Sequence, residues 1–179
     1  MTDTVFLGVG SNVAPTRNIA VALEELDAAV TLRRISTVYR SAAIGFDGAD
    51  FLNLVVEARS ALAPGALHRK LREIEYRHGR EPSAGRFAPR HVDIDILLMG
   101  ERRGTIDGVE LPRAEITENA FVLAPLAEIA PALIMPGQTH NLEQLWHRYS
   151  KQQTITPIDF EWRGTLLPCP SIPVAGTRA

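Results

Sequence analysis

Arg86-Phe87-Ala88-Pro89-Arg90-His91-Val92-Asp93-Ile94-Asp95-Ile96-Leu97-Leu98 joins an arginine-rich loop to an aliphatic run that carries two carboxylates. The run reads as a buried strand, on which residues i and i+2 point the same way. Asp93 and Asp95 then share one face, and Val92, Ile94 and Ile96 fill the other. Two carboxylates so placed repel each other and resist desolvation unless a cation or hydrogen-bond donors compensate. Paired hard oxygens suit Mg²⁺, above all where substrate phosphates complete its shell. On an exposed strand or at a strand end, the same Asp-x-Asp pattern simply faces water. The upstream residues favour the metal: Arg86 and Arg90 flank Pro89 and Arg80 lies further back, and guanidinium groups grip phosphate through planar, paired hydrogen bonds. The stretch points to a metal and polyphosphate site on a strand.

Before this strand, Val5–Val9 is a short apolar run closed by Gly8, Gly10, Ser11 and Asn12, a strand entering a tight turn. Ile19, Leu23, Leu26 and Val30 recur at helical spacing, with Thr16 as the expected N-cap. Leu32–Tyr39 and Phe51–Ala58 are β-branched or aromatic enough for two more strands, separated by the loop Gly45-Phe46-Asp47-Gly48. Pro64 suits the first turn of a second helix, Leu67, Leu71 and Ile74 give its apolar stripe, and Gly79 ends it. The order strand, helix, strand, strand, helix, strand is that of an α+β, ferredoxin-like β-α-β-β-α-β core, with both helices on one face of the sheet. After Gly100 we expect a polar hairpin, a short helix at 124–129 and a last helix at 141–149 as additional C-terminal helices covering the other face. A strand near 158–162 and a proline-bearing tail follow. We divide the chain into one domain, 1–154, and a C-terminal extension, 155–179, expected to be partly mobile.

A length of 179 residues, 45% hydrophobic and 22% charged, is enough for one domain with a substantial core. The net charge of −2 excludes a generally polycationic nucleic-acid binder. It leaves room for a local basic patch between positions 69 and 90, in which Arg69, Lys70 and Arg72 read as a solvated helix face. Cys169 is the only cysteine, so neither an internal disulfide nor a thiolate metal cage can form. No basic leader precedes a long apolar core, and no run approaches the ~20 apolar residues of a membrane span. The expectation is a cytoplasmic protein with neither membrane nor nucleic acid as a partner.

These motifs together resemble the 6-hydroxymethyl-7,8-dihydropterin pyrophosphokinase family of the folate pathway. The family's signature is a basic residue, any residue, a small residue, a small residue or proline, arginine, two variable positions, then Asp-hydrophobic-Asp and two aliphatics. Arg86 to Leu97 fills every position. Leu7-Gly8-Val9-Gly10-Ser11-Asn12, Ser36-Thr37-Val38-Tyr39-Arg40-Ser41, Asp50-Phe51-Leu52-Asn53, Ile74-Glu75 with Gly79-Arg80, and Ala120-Phe121-Val122-Leu123-Ala124-Pro125-Leu126 extend the likeness in order along the chain.

The resemblance implies transfer of pyrophosphate from MgATP to the hydroxymethyl oxygen of the dihydropterin, releasing AMP. It implies two Mg²⁺ ions on Asp93 and Asp95, and Arg80, Arg90 and Asp95 as the catalytic group. It further implies ATP contacts from Glu75, Arg80, Arg86, Arg90, Ile96 and Arg113. Pterin contacts would come from Ser41, Ala42, Ile44, Phe51, Asn53, Phe87 and Phe121. Read without the family, Phe51 and Phe121 are core residues, as apolar aromatics usually are, and the resemblance reverses that reading. The small-molecule substrates are ATP and the dihydropterin, and the expected state is a monomer.

The chain also departs from the family pattern. Phe87 stands where tryptophan is common, Ser83 where lysine is frequent in the catalytic loop, and Pro82 stiffens its neighbourhood. The family's Val-Pro-His-Tyr element is Leu111-Pro112-Arg113-Ala114, which puts a permanent charge in place of an imidazole, and Asn119 replaces a frequent arginine. These changes bear on nucleotide affinity and loop closure. They motivate a second reading, a paralogue with a modified pterin substrate or weak catalysis. A third is a ferredoxin-like ligand- or RNA-binding module, although the aromatic, basic ribonucleoprotein motif of RNA-binding sheets is absent.

Overall fold

The first apolar run forms strand β1 (Asp3–Ser11), and its alternation already separates two layers of core. Val5, Leu7 and Val9 face one side of the sheet, and Phe6, Gly8 and Gly10 the other. The computed structural model describes residues 2–45, 48–81 and 90–169. Arg86 and Phe87, with Ser83 and Pro82, lie outside the described residues.

Helix α1 (Pro15–Ala29) begins one residue earlier than its expected cap. Pro15 takes the first helical position, where its missing N–H costs nothing, and Ala14 precedes it in the left-handed region at φ 39°. Thr16 therefore sits inside the first turn, and Asn18 ties the helix start down by donating from Nδ2 to the Val13 carbonyl at 2.6 Å.

The strand expected over 32–39 is divided into β2 (Thr31–Ile35) and β3 (Val38–Ser41). Both pair with one edge of β4 (Phe51–Ser60), and Ser36 explains the break. Its backbone N–H donates to the Val55 carbonyl at 3.0 Å while its Oγ accepts from the Val55 N–H at 2.9 Å, so a side chain replaces a rung of the ladder.

Helix α2 (Pro64–Arg77) starts on Pro64 as its sequence indicates, and the chain leaves it through Gly79 at φ 94°. Strand β5 (Asp93–Met99) completes a sheet in the order β5-β1-β4, then β2 and β3 along the same edge, with all pairings antiparallel. This is the α+β ferredoxin-like core, and α1 and α2 cover one face of it. Against them lie Leu52, Leu54 and Val56 of β4 and Ile94 and Ile96 of β5. Each fully buried Leu or Ile in this layer contributes roughly 1.5–3 kcal/mol, as an upper estimate.

Beyond the core, β6 (Gly104–Ile106) and β7 (Val109–Leu111) form the polar hairpin, turning through Asp107 and Gly108 at positive φ. A single turn, α3 (Glu115–Glu118), leads into α4 (Ala120–Ile129), which begins four residues before the expected helix. Because α4 is apolar on nearly every side, periodicity could not mark its start. Helix α5 (Leu142–His147) is capped by Asn141 in a capping box with Gln144. Val122, Leu123 and Leu126 of α4 and Leu142 of α5 bury Phe6, Val55, Leu97 and Leu98 on the second sheet face.

The segment after 154 joins this architecture. Strand β8 (Ile155–Ile158) pairs with β3, in place of a strand at 158–162. A small hairpin, β9 (Glu161–Trp162) and β10 (Thr165–Leu166), lays Trp162 against α1, where its Nε1 donates to Glu24 at 2.9 Å. Among the described residues no helix is long and apolar enough to cross a membrane.

Candidate active site

The α4–α5 layer covers only part of its sheet face. At one end β1 presents Gly8 and Gly10 instead of side chains, and a cavity of about 480 Å³ opens above them. A Cβ at Gly10 would stand 3.0 Å from Asn53 Oδ1, so the bare backbone here lets β4 place an amide in the cavity wall.

The acidic pair enters from β5. The two-residue period sends Ile94 and Ile96 into the α1–α2 core and turns Asp93 and Asp95 into the cavity, with 30% and 20% of their side chains exposed. Leu97 is the extra residue of a bulge, since Leu7 faces Ile96 while Phe6 faces Leu98.

Guanidinium groups surround the pair. Arg80 Nη1 lies 3.0 Å from Asp93 Oδ1, and Arg113 Nη2 lies 3.3 Å from Asp95 Oδ2. Arg113 is itself oriented by Glu115, which accepts from its Nε at 2.9 Å. Arg90 lines the cavity, and its backbone is clipped to the end of β1: its N–H donates to Asn12 Oδ1 at 2.7 Å and its carbonyl accepts from the Asn12 N–H at 3.0 Å. Burial, and then the neighbouring Asp93 charge, push the Asp95 carboxyl up to about 6, against the pull of Arg113 and Arg72.

Two of the expected contacts do not reach the cavity. The Ile96 side chain is buried on the opposite face of the sheet because it follows Asp95 by one residue. Glu75 is fully buried beneath the site; its carboxylate accepts from the Ile94 N–H at 2.8 Å, from Arg72 at 2.5 Å and from Arg80 at 2.8 Å. Its place is that of an anchor for arginines. Desolvation raises the Glu75 carboxyl above its ordinary range while the Ile94 N–H and Arg72 oppose the rise.

The other end of the cavity is apolar and amide-lined. Phe51 and Asn53 of β4 meet Phe121 of α4 there, with Ser41, Ala42 and Ile44 from the end of β3 and the following loop. Asn53 Nδ2 donates to Ser41 Oγ at 2.9 Å, which holds the amide with its oxygen toward Gly10. Phe51 and Phe121 are both half-buried and line the opening, and Phe121 also packs against the second core layer.

Sequence reading missed three contributors. Arg72, taken for part of a solvated helix face, points inward from α2 and lies 3.9 Å from Asp93 and 3.8 Å from Asp95. Its i,i+3 spacing to Glu75 was the available signal. Asn12 read only as a turn residue, and Glu115 gave no signal.

Among the described residues no group of three or more His, Cys, Asp or Glu side chains gathers to cage a metal. Two hard carboxylates beside a wall of arginines nevertheless fit Mg²⁺, which keeps waters and takes substrate phosphates to complete its octahedron.

Residues 6–131 match the family model described as 7,8-dihydro-6-hydroxymethylpterin-pyrophosphokinase. The 2-amino-4-hydroxy-6-hydroxymethyldihydropteridine pyrophosphokinase of Aquifex aeolicus is 37% identical over 157 residues, covering 87% of this chain and 95% of that protein. The Bacillus subtilis protein of the same name is 33% identical over 158 residues, covering 86% and 94%. The structure of wild-type Plasmodium falciparum HPPK-DHPS with SDX-DHP shares the fold at a TM-score of 0.68 and 11% identity; the match covers 83% of this chain and 44% of that one, so the chain spans less than half of this structural neighbour.

Proposed function

The chain belongs to the 7,8-dihydro-6-hydroxymethylpterin-pyrophosphokinase family, whose members transfer pyrophosphate from ATP to hydroxymethyldihydropterin in folate biosynthesis, and from that premise we propose how its residues divide the reaction. The observation that carries the division is the polarity of one cavity, with an aspartate pair ringed by arginines at one end and two phenyl rings with a fixed amide at the other. A cavity of this size and mixed lining suits a small bound molecule.

At the apolar end, Phe51 and Phe121 wall the flat pterin, Asn53 reads its polar edge through Oδ1, and Ser41, Ala42 and Ile44 close its rim, with Phe87 as a further aromatic cover. At the charged end, Arg80, Arg86, Arg90 and Arg113 take the triphosphate. Glu75 contributes through Arg72 and Arg80, and Ile96 through the strand that carries Asp95. Asp93 and Asp95 are the ligands for magnesium, and we infer two ions. Held by these two carboxylates, magnesium would supply charge neutralisation at the phosphate oxygens.

The protein's own part is positioning and charge. The bond formed joins the hydroxymethyl oxygen to the β-phosphorus, the bond broken is that between the β-phosphorus and the α–β bridging oxygen, and the bridging oxygen leaves with AMP. Asp95 is the carboxylate beside the nucleophile and the candidate acceptor of its proton. Arg80 and Arg90 meet negative charge as it shifts during transfer, an effect worth a few kcal/mol of barrier for a preorganised donor.

We further propose a cytoplasmic monomer, with 1–154 as the catalytic unit and 155–179 as its extension; light scattering that returned a dimer mass would reject the monomer. The face that an RNA-binding ferredoxin-like sheet leaves open is covered in part here by α4 and α5. The deciding experiment supplies MgATP and 6-hydroxymethyl-7,8-dihydropterin and follows nucleotide and pterin products together. Stoichiometric AMP and pterin diphosphate are expected. ADP in place of AMP, or no nucleotide consumption, overturns the assignment.

A further inference from the structure

We propose that Arg72, on the buried side of α2, is an additional ligand for the nucleotide phosphates in this chain, a role resting on the phosphate end assigned above. Three features of its surroundings carry the proposal.

The first is preorganisation. Nη1 is held at 2.5 Å by Glu75, a carboxylate with no exposed surface that is itself pinned by the Ile94 N–H. A guanidinium fixed in this way gives up little rotamer freedom when a ligand arrives.

The second is unused donor capacity. Arg72 lines the cavity, and its approaches of 3.9 Å to Asp93 and 3.8 Å to Asp95 are electrostatic contacts too long for hydrogen bonds. Among the described residues the Glu75 bond is its one side-chain hydrogen bond. The Nη2 hydrogens are therefore available in the space between the aspartates and the cavity, where a phosphate would lie.

The third is charge balance. Among the described residues Asp93, Asp95, Glu115 and the buried Glu75 meet Arg72, Arg80, Arg90 and Arg113 at this end of the cavity, so Arg72 supplies one of the four guanidinium charges set against four carboxylates. Its charge lies 3.8–3.9 Å from both aspartates, beside the space assigned to the phosphates.

Loss of one charge-assisted phosphate contact corresponds to about a ten- to hundredfold rise in Kd. The test compares the parent with Arg72→Gln and Arg72→Lys. Each is titrated calorimetrically with the α,β-methylene analogue of ATP plus Mg²⁺, which cannot transfer its β-phosphorus, and separately with inorganic tripolyphosphate, adenosine and the dihydropterin. Melting temperatures are measured alongside.

For Arg72→Gln, the Kd values of both phosphate ligands are expected to rise about ten- to hundredfold, while adenosine and dihydropterin binding are unchanged. Arg72→Lys is expected to recover part of the loss, since a point charge replaces only part of a fork. If Arg72 merely shores up Glu75, the melting temperature of Arg72→Gln falls with phosphate affinity unmoved, and the proposal is overturned. An equal loss for adenosine and tripolyphosphate would indicate a collapsed site and overturn it too. A parent that binds neither phosphate ligand rejects the nucleotide site itself, and this proposal with it.

Discussion

Replacing Asp95 with Asn should abolish turnover and yet stabilise the ligand-free protein at neutral pH. In the folded state the Asp95 carboxyl is pushed from the ordinary 3.8 up to about 6, first by burial and then by Asp93, so folding opposes its ionisation. Between pH 4 and 6 the folded chain holds a proton that the unfolded chain has released, and stability falls as pH rises through that window. Above the folded-state value the full penalty is present; below the unfolded one it vanishes. The displacement corresponds to roughly 3 kcal/mol at most, and relaxation of Arg72 and Arg113 around a neutral amide leaves an expected gain of about 1–3 kcal/mol at pH 7. For a chain of this length that is a rise in Tm of about 3–10 °C. Denaturant unfolding in the absence of magnesium, run at pH 7.5 and at pH 4, measures it directly. The gain should be present at the first pH and nearly absent at the second. Saturation with magnesium and the methylene nucleotide analogue should reverse the order, since only the parent keeps both carboxylates for the cation. A variant no more stable than the parent at pH 7.5, or one whose advantage persists at pH 4, refutes the reasoning.

Gly10→Ala places a methyl 3.0 Å from Asn53 Oδ1, so dihydropterin Kd should rise about tenfold while nucleotide-analogue Kd stays within twofold, both read by calorimetry. Trp162→Ala removes a buried ring and the Glu24 bond that ties the β9–β10 hairpin to α1; a loss of about 3–5 kcal/mol is expected in urea unfolding, and a loss below 1 kcal/mol would show the hairpin to be dispensable. Asn141→Ala breaks the capping box with Gln144 and should cost about 1 kcal/mol without changing any ligand affinity.

Much of the fold was legible because its signals are short-range. Pro64 and Gly79 bound α2 in the sequence as they do in space, and the two-residue period of Asp93-Ile94-Asp95-Ile96 fixed which side chains meet the cavity. Signals failed where a side chain took over a backbone task. Ser36 divides the predicted second strand by bonding to Val55 through both its N–H and its hydroxyl, and a serine within a β-branched run gives no hint of that. α4 hid its first turn for the opposite reason, since its burial on nearly all sides erases the stripe that would have marked it, and Pro125 within it reads as a boundary.

Arg72 exposes a deeper limit. Beside Arg69 and Lys70 it is indistinguishable from a solvated cation, and it becomes a site residue only because α2 crosses β5 at the level where Asp93 and Asp95 emerge. Its nearest informative neighbour in the chain is Glu75, a carboxylate at helical spacing that could equally have formed a surface pair worth a few tenths of a kcal/mol. Burial of that carboxylate changes its meaning. A fully enclosed anion must be matched by cations, and the two that match it, Arg72 and Arg80, are thereby aimed at the acidic pair on the next strand. The phosphate end is thus built in part from beneath, by one buried glutamate that orients Arg80, legible as part of a clamp from sequence, together with Arg72, which was not.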